Sequence, residues 1–548
     1  MICILHGYLL EGSGSNLWTR AIVQALCRQG VPVHLVCQEP HPEIYDFIAA
    51  AYVHEPDGSV TTLFEREVPY PAGCRFHKPR LGETLPVYVP DVYEEFPRAI
   101  PMIDLPDPEI EAYLERNMAV LRRLLNDHGI EAVHANHAVL LSVVAERVCA
   151  ESGLPFAIMP HGSAIEYAVK KDPRFQALAE PAFAQAGRIF VHGPEMRRRV
   201  IETFPALPDL DGRILDLPLG VDTSAFLPCA RSGRPAQISK LAAALEPLAR
   251  GRQPAALLRL QGRLRNDMGF EALTAALTEA RGYDPKLPDG DAAEKLAAVD
   301  WAEDELLLFI GRLIASKGPQ NIVAALPQIL EAHPGARLLL VGHGPLREVL
   351  EALVWALSRG QRELVQNIVT WGAALEGGAA APFEEVRLFF TALEEQGALT
   401  AYFETAERVL EPERVIFTGY LTHSELKFLL PCCDLGIFPS VVAEAGPLVF
   451  LEALASGCFP LGTYFAGTAA TIDALAGSLP ADATELMKLR NDPALTVADI
   501  VDKAKAALVL QGRYRDDLRS TAEERYDWTA VADRFATALR ALNAPARS

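Results

Sequence analysis

Residues 306–318 read LLLFIGRLIASKG, and residues 337–345 repeat the same form as RLLLVGHGP. Each stretch contains a continuous apolar run, 306–310 and 338–341, that ends in glycine, which is the pattern of a buried strand that leads into a loop. Residues 318–332, which lie between the two runs, carry apolar side chains at helical spacing. A strand, a helix and a second strand in this order form a βαβ unit, so the sequence predicts a parallel sheet covered on both faces.

The same alternation of strand and helix extends over most of the chain. In the C-terminal half it predicts strands at 415–418, 435–439 and 458–461, and helices at 423–430 and 447–456. In the N-terminal third it predicts strands at 1–6, 31–38, 131–135, 155–160 and 188–192, and helices at 16–28, 108–128 and 138–151. We therefore predict an α/β fold of two doubly wound, Rossmann-like domains that face an interdomain cleft, because ligands of such sheets bind beyond the carboxyl ends of the strands.

Domain boundaries follow from where this alternation stops. A turn-like segment near residues 217–222 ends the first array, and stretches that are rich in proline and aromatic residues or look helical interrupt both arrays. The predicted parts are an N-terminal domain at 1–220 with an insertion at 39–107, a C-terminal domain at 221–525 with helical insertions at 229–300 and 359–410, and a final amphipathic helix in 526–548.

Composition narrows the classes of function. The 548 residues carry a formal net charge of −20 and are 50% hydrophobic, which excludes a mainly disordered chain and argues against a nucleic-acid partner. The N-terminus lacks the basic region of a signal peptide, and no apolar run approaches the roughly 18 residues of a membrane span. The nine cysteines form no C-x-x-C pair, so we expect free thiols and a cytoplasmic location.

Two loops are predicted to bind an anion. Arg312 and Lys317 follow the strand at 306–310, where two cations could neutralise a diphosphate without a metal. Gly12 and Gly14 join the first strand to a helix, where glycine allows close approach and the helix N-terminus favours negative charge. Plain solvated cations and a plain tight turn remain the alternatives. No group of residues has the spacing of a metal site.

Glu444 and Glu452 form the strongest pair of candidates. Pro447 suits the first position of a helix, which places Glu444 in the loop before it and Glu452 inside it. Leu448 and Val449 would then carry unpaired backbone N–H groups that favour an anion. The pair could thus bind hydroxyl groups on both sides of a phosphate pocket, although ordinary surface glutamates remain the alternative.

Five further candidates lie at or just after the ends of three predicted strands. Gly342 and Gly344 lack the third glycine of the dinucleotide fingerprint, which argues against NAD and favours a turn near a nucleotide. His161 comes directly after the strand at 155–160 and is a candidate for the cleft, although a lone histidine is more often structural. His134 and His137 are weaker candidates of the same kind.

Together these motifs, with Val415-x-Phe417-x-Gly419, resemble the retaining glycosyltransferases of family 4, which have the GT-B fold. The resemblance implies that the last helix crosses back to the first domain. It also implies roles for the main candidate residues. Arg312 and Lys317 would bind the donor diphosphate, and the loop with Gly12 and Gly14 would close on it. Glu452 would bind the ribose, Glu444 and His161 would contact the transferred sugar, and the backbone around Tyr420 would contact the base.

We therefore expect a metal-independent, retaining hexosyltransferase that uses a UDP-, GDP- or ADP-sugar, needs no other cofactor and acts on a sugar, glycolipid or other small acceptor. Neither nucleic acid nor a transmembrane segment is expected. The alternatives are a GT-B phosphorylase, which would need a lysine-bound pyridoxal phosphate, a sugar-nucleotide epimerase, and a non-catalytic nucleotide-sugar-binding protein.

Overall fold

A computed structural model describes residues 1–11, 13–88, 93, 95–281, 286–444, 446 and 448–542. The chain forms two compact units. The N-terminal unit comprises Met1–Gly220 and Arg525–Ser548, and the C-terminal unit comprises Val221–Glu524. Among the described residues, no helix is both long and apolar enough to cross a bilayer.

The strands of both units are short and mostly buried. In chain order they are β1 (Ile2–Leu5), β2 (Val33–Val36), β3 (Ile48–His54), β4 (Val60–Glu65), β5 (Cys74–Pro79), β6 (Thr84–Val87), β7 (Arg98–Pro101), β8 (Ala132–Asn136), β9 (Phe156–Met159), β10 (Arg188–Val191), β11 (Ile214–Asp216), β12 (Glu305–Ile310), β13 (Ala336–Val341), β14 (Val415–Gly419), β15 (Leu435–Phe438), β16 (Phe459–Thr463) and β17 (Lys488–Leu489).

Helices connect these strands and fill the insertions. In chain order they are α1 (Gly14–Arg28), α2 (Asp107–Asp127), α3 (Leu141–Ser152), α4 (Gly162–Ala164), α5 (Pro173–Gln185), α6 (Pro194–Thr203), α7 (Leu210–Arg213), α8 (Arg234–Leu245), α9 (Pro254–Arg263), α10 (Phe270–Ala280), α11 (Ala292–Ala297), α12 (Pro319–Ala332), α13 (Arg347–Ser358), α14 (Arg362–Trp371), α15 (Glu384–Glu395), α16 (Leu399–Val409), α17 (His423–Leu429), α18 (Leu448–Ser456), α19 (Ala466–Ala474), α20 (Ala481–Met487), α21 (Thr496–Val509), α22 (Arg515–Tyr526) and α23 (Trp528–Ala541).

Each unit contains one doubly wound sheet. In the N-terminal unit the strand order is β11-β10-β9-β8-β1-β2-β5-β3-β4, and β4 runs antiparallel to β3 while the other pairs are parallel. In the C-terminal unit the order is β14-β13-β12-β15-β16-β17, with parallel pairing. The winding direction reverses between β1 and β8 in the first sheet and between β12 and β15 in the second. Ligands of doubly wound sheets bind at such switch points, beyond the carboxyl ends of the strands.

The final helix belongs to the N-terminal unit because its apolar face packs there. Phe535 of α23 lies edge-on to Trp18 of α1, with ring centroids 5.7 Å apart, and both side chains are buried. Full burial of a large apolar side chain such as Phe535 contributes about 1.5–3 kcal/mol to folding. Ser13 caps the N-terminus of helix α1, because its hydroxyl accepts a hydrogen bond from the Asn16 backbone N–H.

Buried ion pairs attach the insertion at 229–300 to helix α13 of the C-terminal unit. Arg347 of α13 lies 2.7 Å from Asp289 and 2.9 Å from Glu351, and Arg252 lies 2.7 Å from Glu351. All four side chains are almost fully buried. Because removal of one partner would leave a buried charge unpaired, at a cost of about 3–5 kcal/mol, this insertion is an integral part of its unit.

Candidate functional site

The loops that follow β12 and β15 meet at the switch point of the C-terminal sheet. The backbone N–H of Val441 donates a 3.0 Å hydrogen bond to the Ser316 carbonyl, and the Ser440 hydroxyl oxygen lies 3.2 Å from the same carbonyl oxygen. These contacts hold the second loop against the first. The structure therefore brings Lys317 and Glu444, which sequence analysis assigned to one site, to adjacent positions.

Lys317 and Glu444 form an ion pair through the lysine Nζ and the carboxylate Oε1. The Ser440 hydroxyl donates a 2.7 Å hydrogen bond to the same carboxylate oxygen. Both members of the pair are partly exposed, with 31% and 24% of their side chains accessible. An anion that binds Lys317 would therefore compete with Glu444 for the same ammonium group, which couples the two residues.

Arg312 is exposed in the loop after β12 and lies near a carboxylate that sequence analysis missed. Glu376, at the end of a short 3-10 turn (Ala373–Glu376), accepts a 3.0 Å hydrogen bond from the Ala315 backbone N–H. Burial raises the pKa of Glu376, while the Ala315 N–H and the Arg312 charge oppose that rise. The helical insertion at 359–410 thus contributes a side chain that supports the cationic loop.

Glu452 lies at the middle of α18 and is almost fully buried. Its Oε1 lies 2.7 Å from Nε2 of His423, the first residue of α17. Its Oε2 is buried and has no hydrogen-bond partner among the residues that the structure describes. A buried carboxylate oxygen without a partner is costly, so this atom is well suited to accept a hydrogen bond from a ligand hydroxyl.

The N-terminus of α18 lies at the same edge of the sheet. The first four backbone N–H groups of a helix have no partner within the helix, and Leu448 and Val449 carry the first two here. Their predicted contact with a phosphate stays a prediction. Pro447, which was expected to begin this helix, lies outside the described residues.

Gly342 and Gly344 are required by the packing of their loop. Both have positive φ, and a Cβ at these positions would lie 1.8 Å from the Gly311 carbonyl oxygen and 2.3 Å from that of Leu313. The two glycines therefore allow the loop after β13 to lie directly against the loop after β12. This accounts for them without a ligand, and their predicted contact with the donor stays a prediction.

The backbone N–H of Tyr420 is already hydrogen-bonded, and the predicted contact of this segment with the base stays a prediction. Its backbone N–H donates a 3.0 Å hydrogen bond to the Leu287 carbonyl, in the insertion at 229–300. The neighbouring carbonyl of Gly419 accepts from the Gly342 N–H at 2.8 Å. The ring of Tyr420 lies edge-on to His343, with centroids 5.2 Å apart. A base contact at Tyr420 would therefore use its carbonyl or its ring rather than its N–H.

In the N-terminal unit, His161 lies directly after β9 and takes part in a buried polar network. Its Nε2 donates to the side-chain oxygen of Asn136 at 3.0 Å, and the Asn136 amide donates to Thr19 at 2.9 Å. Burial, followed by the neighbouring histidines His137, His192, His6 and His134, holds the pKa of His161 well below its ordinary value. The imidazole is therefore neutral near pH 7 and can donate or accept a hydrogen bond without carrying charge.

Two histidines that sequence analysis ranked lower behave differently from each other. His134 is fully buried against Trp18 and Phe535, which indicates a structural role. His137 has a strained φ of 75°, and both of its ring nitrogens are buried without a hydrogen-bond partner in the described part of the chain. Its ring lies 4.8 Å from that of His161, centroid to centroid, so His137 belongs to the same candidate region.

The glycine loop after β1 is only partly described. Gly14 opens α1, and an added Cβ there would meet no atom within 4 Å, so the position is open enough to approach a ligand. Gly12 lies outside the described residues, and its predicted role stays a prediction. Within the described ranges, no group of three or more His, Cys, Asp or Glu side chains is placed to hold a metal ion.

Two family models match the chain. The model described as Glycosyltransferase Family 4 matches residues 12–225, and the model described as Glycosyl transferases group 1 matches residues 293–365 and 395–478. The first match covers most of the N-terminal unit, and the second lies within the C-terminal unit. The residues between the matches fall mainly in the insertions predicted at 229–300 and 359–410.

Curated relatives match over parts of their lengths. An uncharacterized glycosyltransferase of Methanocaldococcus jannaschii is 26% identical over 155 residues, which are 28% of this chain and 26% of that protein. A glycogen synthase of Mycobacterium tuberculosis is 28% identical over 230 residues, 41% of this chain and 40% of that protein. The matched segments thus span less than half of either relative.

Two solved structures share the fold over nearly the whole chain. Sucrose-phosphate synthase from Thermosynechococcus elongatus has a TM-score of 0.51 at 15% identity, covering 99% of this chain and 98% of that one. The catalytic domain of starch synthase IV from Arabidopsis thaliana, bound to ADP and acarbose, has a TM-score of 0.55 at 14% identity, with coverage of 99% and 98%. At such identities the likeness shows the fold alone.

Proposed function

Because the chain belongs to the glycosyltransferases of the GT-B fold, we propose that it transfers a sugar from a nucleotide-sugar donor to an acceptor with retention of anomeric configuration. The observation that carries this proposal is the arrangement of Lys317, Glu444 and Glu452 at the switch point of the C-terminal sheet. It combines a cation for phosphate with two carboxylates for hydroxyl groups, which are the groups that a nucleotide sugar presents.

The proposed roles follow from the chemistry of each group. Arg312, Lys317 and the N–H groups of Leu448 and Val449 stabilise the diphosphate as it leaves with negative charge. The carboxylate oxygen of Glu452 accepts a hydrogen bond from a ribose hydroxyl. Glu444 accepts hydrogen bonds from the transferred sugar once a phosphate has drawn Lys317 away. The contact of His161 with that sugar, which the family resemblance implies, stays a prediction.

We propose that the reaction needs neither a metal ion nor a resident cofactor, because Arg312, Lys317 and a helix N-terminus can together balance a diphosphate. The acceptor is proposed to be a sugar, a glycolipid or another small molecule. A cytoplasmic location stays a proposal that rests on the nine cysteines, all of which are buried free thiols that a reducing compartment would preserve.

A panel of UDP, GDP, ADP and their sugars tests the proposal through thermal unfolding. A ligand at 100 times its Kd stabilises the folded protein by about 2.7 kcal/mol, so one nucleotide class should clearly raise the unfolding temperature. The same donor should release its sugar at an unchanged rate in excess EDTA. Binding without turnover on any acceptor would favour the non-catalytic alternative, and the absence of binding to every member would contradict the proposal.

Glu452→Gln and Glu444→Gln should affect different steps. Glu452→Gln should weaken nucleoside diphosphate binding about tenfold, because a hydrogen bond to a charged group is lost. Glu444→Gln should lower turnover about a hundredfold with a smaller effect on diphosphate binding, because its bonds to the sugar strengthen in the transition state. His161→Ala should resemble Glu444→Gln.

Calorimetric binding of the free diphosphate, measured beside turnover of the intact donor, separates these effects. If Glu444→Gln and His161→Ala abolish diphosphate binding while Glu452→Gln leaves it intact, the assignment is reversed and the donor is placed wrongly.

A further inference from the structure

We propose that His423 is a positioning residue for the nucleotide ribose, and that it acts by fixing the carboxylate of Glu452. This inference rests on the proposed function, because it concerns the same donor. His423 lies outside every motif that the sequence analysis used, and its effect would be on recognition of the ribose hydroxyls rather than on the diphosphate or the transferred sugar.

The contact between His423 and Glu452 gives the two carboxylate oxygens of Glu452 different surroundings. His423 Nε2 lies 2.7 Å from Glu452 Oε1. A carboxylate oxygen can only accept, so a hydrogen bond at this contact requires the proton on the nitrogen. The other oxygen, Oε2, is buried without a partner among the described residues. One oxygen is thus occupied by the protein, and the other is the one that a ribose hydroxyl can reach.

His423 is itself held in place at the start of α17. A capping box surrounds it: the Thr422 hydroxyl accepts from the Ser424 backbone N–H, and Glu425 accepts from the Thr422 backbone N–H at 2.8 Å. The ring of His423 also lies edge-on to Phe226, with centroids 6.2 Å apart. The cap fixes the backbone at His423, and the partly exposed ring lies between Phe226 and Glu452.

Glu452 needs a partner such as His423 because its carboxylate can rotate about the last bond of the side chain. Rotation about the last bond of a glutamate side chain is broad, with no strong preference. Without a fixed partner, the buried Glu452 carboxylate could turn either oxygen toward the ligand. It could also turn toward other hydrogen-bond donors, which would lower the free-energy cost of burying its charge. A bond from His423 to Oε1 selects one orientation in advance, and a charge-assisted bond from the ribose to Oε2 then forms without reorganisation.

Calorimetry with nucleotides that lack a ribose hydroxyl tests this role. The probe is whichever of UDP, GDP and ADP binds the wild-type protein most tightly, together with its 2′-deoxy and 3′-deoxy forms. In the wild type, loss of the contacted hydroxyl should weaken binding about tenfold or more. His423→Ala should bind the ribonucleotide about tenfold more weakly than the wild type does. The affinities of this variant for the ribonucleotide and for the deoxy form should differ by less than about threefold.

Two matched variants complete the design. Ser424→Ala, at the exposed neighbouring position, should keep both the affinity and the deoxy ratio of the wild type. His423→Gln, whose amide can still donate to Glu452, should recover part of the ratio. Because the ratio compares two ligands on one protein, a general loss of stability does not imitate the effect.

Each outcome has a defined consequence. Full discrimination against the deoxy nucleotide in His423→Ala would overturn the role of His423. Equal binding of the ribonucleotide and both deoxy forms by the wild type would overturn the ribose contact on which that role depends. Failure of the wild type to bind any of UDP, GDP and ADP would instead overturn the proposed function.

Discussion

Lys317→Ala is expected to lower turnover of the nucleotide sugar by about 30- to 1000-fold, which corresponds to about 2–4 kcal/mol of lost transition-state stabilisation. Lys317 lies beyond the carboxyl end of β12, partly exposed and paired with Glu444. In the proposed reaction its ammonium group balances the charge that develops on the leaving diphosphate. Arg312→Ala should show a loss of the same order, since Arg312 lies in the same loop.

The pairing with Glu444 allows a sharper test than either single variant. In a double-mutant cycle of Lys317→Ala and Glu444→Gln, the two losses should not add, because each substitution also removes the partner of the other side chain. Lys240→Ala provides the control, since Lys240 is an exposed lysine on α8 in the same unit. Near-wild-type kinetics in both Lys317→Ala and Arg312→Ala would remove the diphosphate site from this loop.

The fold was predictable where the signal is local. The strand predicted at 306–310 is observed as Glu305–Ile310, and the helix predicted at 318–332 is Pro319–Ala332. An apolar run that ends in glycine, followed by a helical pattern, determines these elements from their own residues. The prediction of two Rossmann-like domains is confirmed on that basis.

The insertion at 39–107 was less predictable because its structure depends on distant residues. Its strand β5 pairs with β2 on one side and β3 on the other, so the sheet order differs from the chain order. Nothing in the proline-rich and aromatic composition of the segment specifies these neighbours. The ion pair of Arg347 with Asp289, 58 residues away, escapes local analysis for the same reason.

In the candidate site, too, the sequence predicted what depends on local residues and missed what depends on distant ones. Sequence position was sufficient to place Lys317 and Glu444 at strand ends, but it assigned them to different ligand groups and did not show that they pair. His423 and Glu376 gave no signal, because each acts through one contact with a residue far along the chain. The occupied N–H of Tyr420 depends on an insertion that the family motifs do not include.

Acidification from pH 7 to pH 5 should destabilise the protein through three buried histidines, which we call the histidine chain: His34, His54 and His77. The Nε2 and Nδ1 atoms of His77 lie 2.9 Å from His34 and 3.0 Å from His54. All three are nearly inaccessible on strands of the N-terminal sheet. None of them belongs to the proposed donor site, so an effect on stability can be separated from an effect on activity.

Burial is the main cause of their altered titration. It lowers the pKa of His34 to about 4, with smaller effects from His128, Arg75 and the N-terminus. It lowers the pKa of His54 to about 4, with help from Arg123. For His77, burial and the neighbouring His34, His54, His128 and Arg75 hold the pKa well below the ordinary value. The chain of imidazoles is therefore neutral in the folded protein until the solution is strongly acidic.

The sign of the effect follows from proton linkage. An unfolded histidine binds a proton below about pH 6.5, whereas His34 and His54 in the folded protein do not until about pH 4. The pKa of His77 is lowered in the same direction. The unfolded state therefore binds more protons in this window, and the free energy of unfolding falls as the pH falls. The stability is fully present above about pH 6.5. For His54 alone the loss between pH 7 and pH 5 should be about 1–2 kcal/mol, allowing for partial solvent screening.

Urea unfolding of the wild type and of His54→Gln at pH 7 and pH 5 measures this contribution. His54→Gln removes one titrating group and one hydrogen bond, so it should be less stable at pH 7. Its further loss on acidification should nevertheless be smaller than that of the wild type by about 1–2 kcal/mol. His41→Gln is the matched control, because about half of the His41 side chain is exposed, and it should change the pH dependence less than His54→Gln does. An identical pH dependence in His54→Gln and the wild type would show that burial does not lower the pKa of His54. Comparing the changes with pH rather than the absolute stabilities removes the cost of the lost hydrogen bond.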